Sequence, residues 1–269
     1  MSFDADAMLA LASKAARAAA DVLRGARASQ MRGKSNPRDL VTEWDPRSEQ
    51  AIRDVLGESG YPVLGEELGG DKAATDGATY RWLVDPIDGT VNFAHGMPIW
   101  SISIALEAIG QGPVVAVVYA PVLQWWFEAT RGGGARDGNG TPLRVSTVDH
   151  LDRAMLTTGF PYDLATHPEN NLAEWAHLQR VAGTCRRFGV ASLDLCFVAN
   201  GWCDGYWERR LAPWDIAAGA LIVREAGGNV TNTTGGPFDA HSGEAVASNG
   251  AIHDGLVREL ARVPPERVQ

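Results

Sequence analysis

The stretch between Tyr80 and Thr130 constrains the fold most, because four strand-like runs follow one another there with only turns between them. Residues 80–84 are apolar and stop at Asp85. Residues 100–107, 114–120 and 124–130 are rich in β-branched and aromatic side chains, and Pro121 marks the turn between the last two. Trp125 and Trp126 are adjacent in one predicted strand, so they must face opposite sides. One can enter the core; the other needs cover, which a subunit interface would provide. The glycine-rich residues 132–140 predict a hairpin tip.

Helices flank this β-rich block. Met8, Leu9, Leu11, Ala12, Ala15, Ala16, Ala19, Val22 and Leu23 recur at helical spacing, and Gly25 weakens the helix end. A polar segment spans residues 33–39, and a second helix begins near Asp45, where Asp can cap and Pro46 fits the first turn. Beyond residue 150 the pattern alternates. A strand at 155–158 precedes helices near 169–181 and 191–200. A strand at 203–208 then leads to a helix at 213–226 that stops at Gly227 and Gly228, a strand at 245–248 and a closing helix near 254–262. The reading is an α+β part over residues 1–150 packed tightly on an α/β part over 151–269.

The net charge of −9 argues against nucleic acid as a partner, which would need Lys and Arg against phosphates. If such a chain binds a phosphate, the cation must be concentrated locally, and a metal on clustered carboxylates provides it. No run of about 18 apolar residues exists, so no membrane span is expected. The alanine-rich residues 5–28 carry Asp6, Lys14, Arg17 and Asp21, which suits an amphipathic helix and not an export signal. Cys185, Cys196 and Cys203 are odd in number and form no CxxC pair, so a cytoplasmic, reducing setting is expected.

Three acidic clusters carry the chemistry: Gly65-Glu66-Glu67, the segment Asp85-Pro86-Ile87-Asp88-Gly89-Thr90, and Trp214-Asp215 at a helix start. Hard divalent cations such as Mg²⁺ take oxygen ligands. Two carboxylates three residues apart around a proline turn can face one point, with the Ile87 carbonyl between them. Gly89 lets the backbone approach a ligand, Thr90 can orient a water, and a helix starting there would offer free N–H groups to an anion. Taken singly, Glu66-Glu67 reads as a solvated turn and Asp215 as a helix cap.

The segment Trp82-Leu83-Val84-Asp85-Pro86-Ile87-Asp88-Gly89-Thr90-Val91-Asn92-Phe93 resembles the signature of the inositol monophosphatase family. So does Trp214-Asp215-Ile216-Ala217-Ala218-Gly219, followed by Glu225-Ala226-Gly227-Gly228. Further matches, in order along nearly the whole chain, are Asp39-Leu40-Val41-Thr42 with Asp45, Gly65-Glu66-Glu67 and Gly159-Phe160-Pro161. The resemblance implies a layered αβαβα sandwich of the inositol monophosphatase and fructose-1,6-bisphosphatase type, a homodimer, lithium sensitivity, and two or three Mg²⁺ ions per active site. It implies Glu66, Asp85 and the Ile87 carbonyl as ligands of one ion, and Asp85, Asp88 and Asp215 as ligands of another. Asp45 and Thr90 would activate the attacking water, so Asp45, Thr90 and Glu66 form the catalytic set. Lys34 would lie near the phosphate and a weaker third ion. Gly89 and Thr90 would hold phosphate oxygens. Asp88, Gly189, Ala191 and Glu208 would line the polyol side, with Glu208 accepting from ring hydroxyls.

Two residues depart from the family pattern: Val190 stands where Ser or Thr is common, and Trp44 replaces a smaller residue beside Asp45. The expected function is Mg²⁺-dependent hydrolysis of inositol monophosphate, with no membrane partner. Histidinol phosphate, fructose 1,6-bisphosphate and nucleotide 3′-phosphates are the alternative esters; a noncatalytic polyol-phosphate-binding regulator is the alternative class. Arg186-Arg187 and Arg209-Arg210 are candidate basic pairs for a bisphosphate. None of the six histidines sits in these motifs, and His95, near the loop, is read as structural or peripheral.

Overall fold

The structure is a computed structural model that describes residues 3–26, 31–34, 38–70 and 77–263. Residues 27–28 of the alanine-rich stretch and 35–37 of the polar segment lie outside the described residues. Helix α1 (Ala5–Leu23) is capped by Asp4, whose carboxylate accepts from the Ala7 N–H at 3.0 Å. Its buried face is mostly alanine (Ala12, Ala15, Ala16, Ala19), which lets α2 (Asp45–Leu56) pack closely on it. A short hairpin, β1 (Met31–Gly33) and β2 (Leu40–Thr42), connects the two helices.

A six-stranded sheet follows: β3 (Val63–Gly65), β4 (Tyr80–Asp88), β5 (Ser101–Ala108), β6 (Gly112–Ala120), β7 (Trp125–Thr130) and β8 (Gly134–Asp137), paired in that order. Only β3 and β4 run parallel; the other pairs are antiparallel. A second sheet of five strands has the order β10-β9-β11-β13-β12. Its strands are β9 (Met155–Thr158), β10 (Thr184–Arg186), β11 (Gly205–Arg209), β12 (Asn229–Thr231) and β13 (Glu244–Ser248). A one-turn helix α3 (Thr90–Ala94) follows β4, and four more α-helices follow among the described residues: α4 (Leu172–Val181), α5 (Ala191–Ala199), α6 (Pro213–Glu225) and α7 (His253–Ala261).

Burial shows how these elements stack. Trp82, Val84, Ile102, Ile104, Val115 and Val117 face α1 and α2. The alternate residues Leu83, Ala105, Ala116 and Val118 face α5 and α6, which also take the inner face of the second sheet through Tyr206, Ala245 and Ala247. On the outer face of that sheet Leu156, Trp207 and Val246 pack on Leu178, Leu256 and Leu260 from α4 and α7. The result is the expected α/β/α/β/α sandwich, with α5 and α6 as its central layer. All nine residues of α5 are buried, which explains its lack of a polar face. Gly219 lets α6 approach α5: a Cβ there would sit 2.5 Å from the Leu195 Cβ. None of the helices among the described residues is long and apolar enough to cross a membrane.

Several details differ from the sequence reading. β4 does not stop at Asp85 but continues through Pro86 to Asp88, because a register shift against β5 between Asp85 and Asp88 absorbs the missing proline N–H. The three-residue strands β1, β2, β3, β10 and β12 were not anticipated; they are too short to show a period. Asp45 does not cap α2, since its side chain turns back to Thr42. Both tryptophans find cover on opposite sides of β7. Trp126 is buried in the α1 layer with the Arg17 guanidinium 4.4 Å from its ring, and Trp125 packs on Phe197 and Trp202.

One buried acid was not flagged by the sequence. Asp194 of α5 is fully buried; Thr157 donates to its Oδ1 at 2.6 Å, and its Oδ2 has no protein partner among the described residues. Burial holds its carboxyl well above the usual range, opposed by the Thr157 bond and reinforced by the charges of Glu208 and Asp88. The folded state therefore keeps a proton that the unfolded chain releases above about pH 4, so this group costs stability as pH rises. Asp194→Asn is expected to gain about 1–3 kcal/mol over wild type at pH 8 and less at pH 4.5. Thermal melts at the two pH values check it; an equal difference at both would refute a neutral Asp194.

Candidate active site

The last turn of β4 builds the centre. The Asp85 Oδ1 accepts from the Ile87 N–H at 2.9 Å, a local turn that fixes both the carboxylate and the Ile87 peptide. Gly89 then reverses the chain into α3 with φ of 90°, and a Cβ there would lie 2.7 Å from Val190 Cγ2. Asp88 reaches across to the central layer, where its Oδ2 accepts from the Ser192 N–H at 2.7 Å. Val190 occupies the capping position of α5 and offers no side-chain acceptor, so Asp88 serves the free N–H from outside the helix. The family-atypical valine thus changes a helix cap, and it is fully buried and does not line the cavity.

Asp45 is 1% exposed and fully engaged. The Thr42 N–H (2.9 Å) and hydroxyl donate to its Oδ2, while the Thr90 Oγ1 lies 3.0 Å from its Oδ1 and 3.0 Å from the Ile87 carbonyl. Thr90 has one proton for these two acceptors, so it can switch between them. Trp44 packs beside the α1–α2 layer with Arg47 5.2 Å above its ring and does not line the cavity.

Glu66 follows β3, and its N–H extends the β3–β4 pairing by donating to the Val84 carbonyl at 3.2 Å. Lys34 Nζ pairs with Glu66 at 2.7 Å and also with Glu67. Burial would lower the lysine pKa, but the two glutamates raise it overall. Beneath this loop lies Glu49, fully buried, accepting from the Glu67 N–H at 2.7 Å and from Leu68 and Arg53. A Cβ on Gly65 would overlap the Glu49 carboxylate at 2.1 Å, so only glycine fits there. Asp215 stands in the first turn of α6, its Oδ2 accepting from the Ala212 N–H at 2.7 Å. That bond reaches back from the third helical position to the N-cap N–H, with Pro213 in the same turn; Ala212 has no side-chain acceptor to return it.

These pieces meet at one cavity of about 230 Å³. Of the expected site residues it is lined by Glu66, Asp85, Ile87, Asp88, Gly89, Thr90, Gly189, Ala191, Glu208 and Asp215. Asp45 joins it through Thr90 and Lys34 through Glu66; His95 lies outside it. Burial, then the charges of Glu66, Asp88 and Asp215, pushes Asp85 well above the usual range. Asp215 is raised likewise, and Asp88 is pushed to about 6. The donor set is all oxygen, and each acid keeps one oxygen fixed by an N–H or by Lys34. That set fits a hard divalent cation, which would relieve the mutual repulsion. Among the described residues no three acidic, His or Cys side chains are already closed around one point.

A family model described as the inositol monophosphatase family matches residues 4–264. The chain belongs to this family. It is 41% identical over 237 residues to a Synechocystis protein named inositol-1-monophosphatase, covering 87% of this chain and 81% of that one. It is 42% identical over 234 residues to a Pseudomonas aeruginosa protein named Nus factor SuhB, covering 85% of each. Among solved structures, an inositol monophosphatase from Anabaena superposes with a TM-score of 0.87 at 38% identity over 97% of both chains. The chain is accordingly a phosphatase of the inositol monophosphatase family.

Elsewhere on the cavity wall, Glu208 of β11 is 7% exposed and accepts from the Tyr206 hydroxyl at 2.9 Å, two residues back on the same strand face. It also accepts from the Gly159 N–H. Burial, with the charge of Asp88, lifts its pKa to about 7 against the pull of the Tyr206 bond. A Cβ on Gly159 would fall 2.2 Å from Glu208 Oε1, so that glycine is a condition for the carboxylate's place. Asn171 supports both strands: its amide donates to the Gly159 carbonyl at 2.7 Å and its Oδ1 accepts from Trp207 Nε1 at 2.8 Å. Of the candidate basic pairs, Arg187 and Arg210 line the cavity while Arg186 and Arg209 do not; Glu49, Asn171 and Tyr162 were missed as site residues by the sequence reading. Glu49 alone left a trace, standing four residues after Asp45 and four before Arg53 on one helix face.

Proposed function

We propose that this phosphatase hydrolyses small phosphate monoesters with Mg²⁺, inositol monophosphate foremost, by direct attack of water. The observation that carries the reading is the meeting of Glu66, Asp85, Asp88 and Asp215, from three separate elements, at one cavity floor. Glu66, Asp85 and the Ile87 carbonyl would hold one ion, and Asp85, Asp88 and Asp215 a second; Lys34 lies where a weaker third would compete for Glu66. When bound, the ions supply the Lewis acidity that makes water a nucleophile and offset the charge developing on the leaving alkoxide. The chain's own part is positioning. Asp45 Oδ1 and Thr90 Oγ1 form a relay that can take a proton, anchored from behind by Thr42. Gly89 and Thr90 at the start of α3 present N–H groups to phosphate oxygens. Glu208, with Asp88, Gly189 and Ala191, receives the alcohol hydroxyls. Lithium sensitivity, a cytoplasmic setting and a division of labour near residue 150 belong to the same reading. A homodimer does too; exposed Met97 and Val122 beside Leu23, Phe93 and Trp100 give it an apolar face.

The inositol substrate is tested at Glu208. A neutral amide accepts hydrogen bonds less well than a carboxylate, so Glu208→Gln should lower kcat/KM for inositol monophosphate about 10- to 200-fold, roughly 1.5–3 kcal/mol. For p-nitrophenyl phosphate, which has no such hydroxyls, the change should be small. Equal losses on both substrates would assign Glu208 to the floor or the fold instead. A chain that binds inositol monophosphate but releases no phosphate in Mg²⁺ would be the noncatalytic regulator.

A further inference from the structure

Glu66 differs from the other three acids of the cavity floor in how it is held. Asp85, Asp88 and Asp215 stand on a strand or a helix, and each has an oxygen fixed by a backbone N–H. Glu66 stands in a loop just past β3, and its carboxylate meets Lys34, a rival for any ion that would bind it. A ligand on such a loop keeps its place only if the backbone beneath it is fixed.

Helix α2 supplies that fixing. Glu49 is fully buried, and its carboxylate accepts from successive N–H groups of the loop, Glu67 at 2.7 Å and Leu68 at 3.2 Å. Arg53, one turn on, donates to the same carboxylate at 2.7 Å, to the Val63 carbonyl at 3.3 Å and to the Gly69 carbonyl. The Gly69 carbonyl also accepts from the Gly65 N–H at 3.0 Å, which closes the loop. Residues 63–69 are thus gripped from below by one ion pair. The same helix face begins with Asp45, four residues before Glu49. Asp45 accepts from Thr90, and Ser48 donates to the Pro86 carbonyl at 3.3 Å. One helix therefore touches the metal-facing turn after β4 and the Glu66 loop after β3.

We propose that Glu49 is a positioning residue for the hydrolysis: by holding the backbone at Glu67 and Leu68, it keeps the Glu66 carboxylate at the cation site against the pull of Lys34. This rests on the metal-dependent reading above and names a residue on which that site's affinity depends. Glutamine at this position keeps the shape, but its amide nitrogen must face either the loop N–H groups or the Arg53 guanidinium, donor against donor. Gly65 gives an independent handle. Its φ lies outside the left-handed region, and the three nearest atoms that an added Cβ would meet all belong to the Glu49 carboxylate. Gly65→Ala therefore disturbs the same group from the opposite side.

In metal-free protein, Glu49→Gln should speed hydrogen exchange at the Glu67 and Leu68 amides by about tenfold or more. Calorimetric Mg²⁺ affinity, measured without substrate, should fall about 10- to 100-fold. The Mg²⁺ needed for half-maximal phosphate release should rise in step, while kcat at saturating Mg²⁺ stays within about threefold. Gly65→Ala should lower the affinity similarly, and adding it to Glu49→Ala should lower it little further, because the side chain it displaces is gone. A Glu49→Gln protein that melts lower yet binds Mg²⁺ like wild type would make Glu49 a fold residue only and overturn the proposal. So would a loss of kcat that saturating Mg²⁺ does not restore, or additive losses in the Glu49→Ala and Gly65→Ala pair. Should Glu49→Gln fail to fold, Gly65→Ala and Arg53→Lys, which keeps the charge but loses the fork, carry the same measurements. Wild type with no Mg²⁺ affinity would overturn the metal reading and this proposal together; a wild-type affinity that Glu49→Gln shares overturns the proposal alone.

Discussion

Asp85→Asn is expected to lower kcat at least about 10³-fold, or roughly 4 kcal/mol of transition-state stabilisation. Asp85 is proposed to serve both principal ions, so one lost charge weakens two sites. The fold should survive. Asp85 is 2% exposed, its bond to the Ile87 N–H uses an oxygen that asparagine retains, and removing its charge relieves the repulsion from Glu66, Asp88 and Asp215. The metal-free variant should therefore melt no lower than wild type. Near-normal kcat at modest Mg²⁺ would show that Asp85 does not bridge.

Removal of divalent cations should be more severe still: phosphate release falls to background in chelator and returns with Mg²⁺. A second readout needs no turnover. Four buried or half-buried acids share a cavity floor with Lys34 as their near cation, so an added cation should stabilise the fold. At a concentration 100 times its dissociation constant a ligand adds about 2.7 kcal/mol, which for a chain of this size raises Tm by roughly 5 °C. The shift should be smaller in Asp85→Asn. Full turnover by metal-free protein in chelator would end the metal mechanism.

The site was more legible than the strands that carry it. Carboxylates at fixed spacing around Pro86 and Gly89 leave a pattern in the sequence because ligand and turn both demand particular residue types. Short strands leave none: β3 and β10 have three residues each and are defined by partners far along the chain. The extension of β4 through Pro86 was hidden for a related reason, since a bulge is a property of a pair of strands. Glu49 looked like an ordinary helical acid because its burial depends on a loop eighteen residues away. Asp194 and Asn171 were silent likewise. Val190 was read only as a departure from Ser or Thr; its place at the start of α5 makes it a cap position without a side-chain acceptor, which Asp88 serves instead.

The central layer has a consequence for how such a protein can diversify. Asp215 and the Ser192 contact of Asp88 both sit at the starts of α5 and α6, and the spacing of those starts is set by the Gly219–Leu195 crossing. Of the groups proposed for the alcohol, Asp88 and Ala191 belong to β4 and α5, but Glu208, with the Gly159 that makes room for it, hangs on β11 and the end of β9. Drift in that outer scaffold can exchange one leaving alcohol for another while the hydrolytic distances stay locked by a helix contact. A lineage built this way can explore new metabolites without first losing its catalyst.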